Sequence, residues 1–220
     1  MAVLKWDQTG EKLYETGVQK GVLYPMDGAE YGKGVAWNGL TAVNETPSGA
    51  ESTKLYADDI KYLDIRSAEE FGATIEAYSS PDEFDACDGT AELADGVNIG
   101  QQNRKGFGFC YRSTIGNDTE YNNYGYKLHI IYGLTAAPSE RSYSSVNDSP
   151  ETATLSWEVS STPVSVAGFK PTSIVTINSK KINVEALKEI EDALYGTETV
   201  EPKILLPDEI KAICDKHIGG

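Results

Sequence analysis

Alternation with a period of two governs the chain from Gly17 to about Ile177. Leu155, Trp157 and Val159 alternate with Ser156, Glu158 and Ser160, the mark of a strand with one buried face. Leu128, Ile130, Tyr132 and Leu134 line one face of a second candidate, opposite Lys127 and His129. Phe107, Phe109 and Tyr111 line one face of a third, with Gly106, Gly108, Cys110 and Arg112 on the other. Shorter candidates occupy residues 18–24, 34–37, 53–65, 72–78 and 171–177. Turn residues separate them at Asp27-Gly28, Asn38-Gly39, Pro47-Ser48-Gly49, Gly116-Asn117-Asp118 and Asn147-Asp148-Ser149-Pro150. Such a pattern predicts a mainly β chain folded as an antiparallel β-sandwich or flattened barrel.

The spacing changes after about Lys180. Val184, Leu187, Ile190 and Leu194 recur every three or four residues, with Asn183 as N-cap and Gly196 as stop. A second helix is expected from Pro207, with Asp208 and Glu209 at its positive end and Lys211, Lys216 and His217 towards the other. Its apolar face would carry Ile210, Ile213, Cys214 and Ile218. A short helix is also expected at residues 81–87. The organisation read from this is a β-sandwich domain over residues 1–179 with a flanking helix, and a C-terminal helical segment over 180–220 packed on it.

Composition narrows the functions. The 220 residues carry 19 Lys+Arg against 34 Asp+Glu, a formal charge of −15. A strong grip on nucleic-acid backbone needs clustered cations, and an anionic membrane surface would repel such a chain. No run of about 18 apolar residues occurs, so no spanning helix is expected. The opening Met1-Ala2-Val3-Leu4-Lys5-Trp6-Asp7 lacks a basic region followed by an apolar stretch, so no signal peptide is expected. Cys87, Cys110 and Cys214 are scattered and odd in number, which predicts reduced thiols rather than a disulfide framework.

A search for reactive groups yields little. His129 and His217 are the two histidines, and no CxxC, HxH or HExxH spacing accompanies them. His129 alternates with apolar strand neighbours and His217 sits where a helix end would hold it, so both read as structural. The acidic run Asp82-Glu83-Phe84-Asp85-Ala86-Cys87-Asp88-Gly89 does not follow the ligand order of a calcium loop, and a helix start after Pro81 suits it better. Gly106-Phe107-Gly108 lies inside an alternating aromatic segment and lacks the turn into a helix that phosphate binding requires. Arg104-Lys105 before Phe107, Phe109 and Tyr111 has the outline of an RNA-stacking strand, but the overall charge favours a packed face. With neither a GxSxG elbow nor a Walker loop, no enzymatic activity, metal or cofactor is expected.

Several segments together carry a family likeness. They are Lys5 through Val18 (KWDQTGEKLYETGV) with Gly21-Val22-Leu23-Tyr24-Pro25, then Gly34-Val35-Ala36-Trp37-Asn38-Gly39-Leu40, and Leu55 through Leu63 (LYADDIKYL). Thr74-Ile75-Glu76-Ala77-Tyr78, Pro81-Asp82-Glu83-Phe84, Ile99-Gly100-Gln101-Gln102, Phe107 through Arg112 (FGFCYR) and Tyr143 through Pro150 (YSSVNDSP) continue it. The pattern resembles the major tail proteins, or tail tube proteins, of long-tailed, non-contractile phages of Gram-positive bacteria. That resemblance implies a structural virion protein whose hexameric rings stack into a tube. Implied partners are copies of itself, the tape-measure protein, other tail proteins and phage DNA, which passes through the lumen without specific binding. The resemblance also implies assembly in the host cytoplasm and no membrane contact. A −15 chain would repel DNA phosphates, as a conduit requires, within the roughly 8–10 Å that salt allows.

Two other classes share the strand pattern. One is a monomeric β-sandwich that binds carbohydrate or a host receptor through exposed Tyr or Trp; the other is a β-sandwich hydrolase with perturbed carboxylates or a metal. Residues 38–52 (NGLTAVNETPSGAES) read as a connection longer than a hairpin loop: either an ordinary mobile loop or, on the assembly that the resemblance implies, a loop disordered in the single subunit and ordered when rings stack. The resemblance makes Asn44, Glu45, Thr46, Pro47, Ser48, Gly49 and Glu51 candidate contacts to a neighbouring subunit or the next ring.

Overall fold

The computed structural model describes residues 3–143, 145 and 152–217. Most of the YSSVNDSP segment and Ile218 lie outside the described residues. The first strands are β1 (Tyr14–Asp27), β2 (Glu30–Tyr31), β3 (Val35–Trp37), β4 (Leu40–Glu45) and β5 (Ser48–Gly49). Next come β6 (Ser52–Ala57), β7 (Ile60–Arg66), β8 (Glu69–Glu70), β9 (Gly72–Ala77), β10 (Ala91–Ala94) and β11 (Val97–Ile99). The longest follow: β12 (Phe107–Asn117) and β13 (Tyr121–Ala136), then β14 (Leu155–Ser161) and β15 (Ile174–Asn178). Helices α1 (Asp85–Asp88), α2 (Val184–Tyr195) and α3 (Pro207–Lys216) complete the chain.

One antiparallel sheet organises the body, in the order β2-β1-β12-β13-β14-β9-β4, with β3 added to β1 and β15 to β13. The sheet folds over itself. Side chains of β1, β12 and β13 alternate between two cores, as period two demands. Leu23, Phe107, Phe109, Tyr111 and Ile131 point inward to meet Ile75, Trp157 and Val159 of the opposing half. Trp37, Phe84 and Trp157 form the aromatic centre of that layer, with ring centroids 4.6–5.4 Å apart. Val22, Tyr24, Cys110, Leu128, Ile130 and Tyr132 point outward, where α2 and α3 cover them with Leu187, Ile190, Leu194 and Ile210.

The expected helices form for the expected reasons. Asn183 Oδ1 accepts from the amides of Glu185 (2.8 Å) and Ala186 (3.4 Å), capping α2. Pro207 opens α3, and Glu209 Oε2 accepts from the Leu206 amide at 2.8 Å. Val184 departs from its expected place on the apolar face: it is exposed, and Ala186 is buried instead. Two buried phenols tie the segment to the sheet. Tyr24 donates to the Leu194 carbonyl at 2.7 Å and Tyr132 to the Leu205 carbonyl at 2.8 Å. Burial drives both hydroxyls far above the usual tyrosine range, so they remain donors. The acidic run after Pro81 is a 3-10 turn leading into α1, anchored by fully buried Phe84 and Cys87 and stopped by left-handed Gly89.

One register expectation fails, at Gly133. Leu128, Ile130 and Tyr132 face the helices, but Leu134 belongs to the opposite core. Between the pairs Phe109↔Ile131 and Phe107↔Leu134 the ladder slips by one residue, and Gly133 sits at φ +57°. This bulge is where β13 leaves β15, its partner up to Ile131, for β14, its partner from Leu134. A side chain there would place Cβ 2.3 Å from the Thr162 carbonyl oxygen. Gly133→Ala should therefore cost about 2–3 kcal/mol, combining backbone strain with a backbone clash. Gly96 has φ +73° and open space around its Cβ position, so Gly96→Ala should cost only about 1 kcal/mol. At roughly 2–4 °C per kcal/mol, calorimetric melting temperatures of the two variants should separate clearly.

Candidate functional site

Between β4 and β9 the chain leaves the sheet and returns as a two-stranded ribbon over residues 46–71. Its neck is hydrogen-bonded. Thr46 donates from its amide to the Gly72 carbonyl at 2.8 Å, and Ala50 to that of Ala68 at 3.2 Å. Ser48 and Gly49 pair with Glu70 and Glu69, while the Ser67 amide donates to the Glu51 carbonyl at 3.1 Å. Gly49 at φ +81° and Ala50 at φ +54° kink this neck, and a Cβ on Gly49 would lie 2.3 Å from the Ala68 carbonyl oxygen.

The connection expected across residues 38–52 is thus not a long irregular loop. Leu40–Glu45 forms strand β4 on β9, with Asn44 and Glu45 at its end. Thr46 and Pro47 lead outward, Ser48 and Gly49 form β5, and Glu51 faces Ser67 across the neck. The run 53–65, expected as one strand, is a hairpin, β6 turning into β7. Asp58 and Asp59 supply the turn, with φ +50° and +64°; two successive left-handed residues define the tight turn whose twist suits a hairpin. Glycine marks such turns more visibly than Asp-Asp, so the sequence pattern alone missed it.

Cross-strand pairing sorts the ribbon into two faces. Thr53↔Ile65, Leu55↔Leu63 and Ala57↔Ile60 stack into an apolar stripe, interrupted by one register shift between Leu55 and Tyr56. Ser52, Lys54, Asp64 and Arg66 make the other face, where Asp64 accepts from both Ser52 and Lys61. Among the described residues nothing covers the stripe: Leu55 is 42% exposed, Ile60 65%, Leu63 47% and Ile65 52%. Tyr56 and Tyr62 are each 68% exposed nearby. These six residues were absent from the sequence-derived candidates because alternation reports one buried face but not whether anything buries it. An isolated two-stranded ribbon is marginal in water, and a contiguous apolar face on it marks a surface for association.

The root of the ribbon meets the body through a polar cluster. Glu45 Oε1 accepts from the Tyr111 hydroxyl at 2.7 Å and lies 3.5 Å from His129 Nδ1. His129 Nε2 is 2.9 Å from Ser113 Oγ, and its ring stacks on Tyr111 with centroids 4.5 Å apart and planes 3° from parallel. The imidazole holds the Glu45 carboxyl below its ordinary range, aided by the Tyr111 hydroxyl and opposed by partial burial. All four side chains project from strands, Glu45 from β4, Tyr111 and Ser113 from β12 and His129 from β13.

The remaining candidates resolve into structural roles. His217 bridges helices, with Nε2 2.9 Å from Glu189 and Nδ1 3.3 Å from Glu185. Phe107, Phe109 and Tyr111 are buried and unavailable for stacking on bases. Arg104 donates to the Ala136 carbonyl at 3.2 Å, and Lys105 pairs with Asp27 at 3.3 Å. All three cysteines are free; burial pushes the Cys87 thiol up to about 11 and Cys110 up to about 12. Among the described residues no group of three or more His, Cys, Asp or Glu is placed to hold a metal ion, and no helix is long and apolar enough to cross a membrane.

No family model matches the sequence, and no curated protein matches it either. Among solved structures the chain is similar to a chain in the sixfold-symmetrised cryo-electron microscopy structure of the anti-feeding prophage baseplate. The similarity spans 80% of this chain and 99% of that one, at 6% identity and a TM-score of 0.37.

The Glu45 cluster makes a pH prediction. A depressed carboxyl contributes stability above its unfolded value and loses it as pH falls through the folded one. Tyr111→Phe removes one donor, so the Glu45 midpoint should rise towards the ordinary glutamate value and this window should shrink. NMR titration of the Glu45 carboxyl carbon in parent and variant measures it; an unmoved midpoint would mean that the hydroxyl has no electrostatic role.

Proposed function

We propose that this chain is a structural subunit of a phage tail tube, in which hexameric rings stack into a conduit for DNA. The observation that carries the reading is the ribbon over residues 46–71, whose apolar stripe is left uncovered among the described residues. Covering four half-exposed side chains is worth about 1 kcal/mol each. A contact made by a protruding element on a different surface of the next copy is heterologous, and such contacts build rings and tubes. The likeness of the sequence to tail tube proteins supports the same reading, and so does a charge of −15, which keeps phosphates moving through a lumen. On this reading its partners are copies of itself, the tape-measure protein, other tail proteins and DNA in transit. The candidate residues Asn44–Glu51 act indirectly, as the neck that aims the ribbon. Leu55→Thr with Leu63→Thr keeps β propensity and removes the centre of the stripe. Melting temperature should change by less than about 4 °C, because the ribbon lies outside both cores. The concentration needed for polymer, read by sedimentation, should rise about tenfold or more. A variant that polymerises like the parent would refute the ribbon's role.

A further inference from the structure

We propose that the ribbon of one copy docks tip first into the cavity at the far end of β4 in the next copy, with Asp58 and Asp59 set against Lys20. This rests on the reading of the ribbon as the assembly element. The cavity, about 710 Å³, is lined by Val18, Lys20, Trp37, Leu40, Tyr195 and Pro202 among others. It lies where β4 begins, whereas the ribbon departs where β4 ends, at Glu45. Donor and acceptor therefore sit at opposite ends of one strand, roughly 17–20 Å apart for six residues. That placement lets each copy give its ribbon at one end and receive a ribbon at the other.

Chemistry matches the two surfaces. The cavity wall mixes apolar side chains, Val18, Trp37, Leu40 and Pro202, with the polar Gln19, Lys20 and Asn38, so it can take both the apolar Ile60 and Tyr62 beside the turn and the turn's own carboxylates. Lys20 is held in a left-handed conformation, φ +53°, within the register shift of β1 between Gln19 and Val22. A long side chain adopts that conformation only where the surroundings impose it, and such outliers gather at functional positions. The Lys20 ammonium lies over the Tyr195 ring, 5.2 Å from its centroid, and both residues line the cavity. Lys20 forms no ion pair among the described residues, and neither does Asp58 or Asp59 at the ribbon's tip. An unpaired cation in the cavity lining is complementary in charge to the acidic tip of the ribbon.

Charge reversal tests the pairing in the full-length protein. Lys20→Glu should raise the concentration needed for polymer about tenfold or more, while melting temperature falls by no more than about 4 °C through loss of the contact with the Tyr195 ring. Adding Asp58→Lys and Asp59→Lys to Lys20→Glu restores the opposite charges across the contact and should recover polymer growth. Growth of Lys20→Glu at the parent's concentration would overturn the docking site, as would a triple variant, folded by its melting curve, no better than Lys20→Glu. If the stripe variant fails to polymerise while Lys20→Glu polymerises normally, the ribbon keeps its role and only the acceptor is wrong.

Discussion

Strands β1, β12 and β13 are buried on both faces over residues 21–24, 107–111 and 130–132, and the rest of the structure depends on that double burial. Leu23 and Tyr24, adjacent in sequence, enter different cores, and both are fully inaccessible. Phe109 and Cys110 repeat the arrangement on β12, as do Ile130 and Ile131 on β13. A sheet apolar on both sides needs a cover on each. The folded-over half carrying β14, β9 and β4 supplies one, and the C-terminal helices supply the other. Tyr24 and Tyr132 fix the helical cover through carbonyl acceptors rather than by packing alone. The helices are therefore part of the body's stability and not an appendage.

A body stabilised in this way leaves the ribbon free of structural duty. Residues 46–71 contribute only partly buried Phe71 to either core. Their other apolar residues pack in neither core, yet strand pairing holds them in order. Order in advance lowers the entropic cost of association, which a disordered loop would meet only on contact. The neck shares this economy: Gly49 and Ala50 set its direction by backbone conformation, and Glu45 anchors its base to Tyr111 and His129.

Legibility in the sequence followed the range of the interactions. Trp157 and Val159, or Leu187 and Ile190, announce their faces because burial repeats with the period of a local element. The turn at Asp58-Asp59 was hidden because aspartate serves caps, turns and solvated faces alike, so its left-handed role has no unique signature. The bulge at Gly133 was hidden for a different reason. It answers to Thr162, which comes near only after β14 has paired, so no local window contains it. Of the proposed site, the sequence marked where the chain leaves the sheet, at Asn44 to Glu51, but not the exposed apolar residues beyond them, Leu55, Ile60, Leu63 and Ile65.

Association through an ordered ribbon onto a distinct surface of the next copy is the claim on which the functional reading stands. Cryo-electron microscopy of the purified full-length protein, taken through rising concentration, tests it directly. The expected particles are sixfold rings stacked at a constant axial repeat, with density for residues 46–71 crossing from one ring into the next. Single copies at every concentration, or assemblies in which those residues point into solvent, would contradict it.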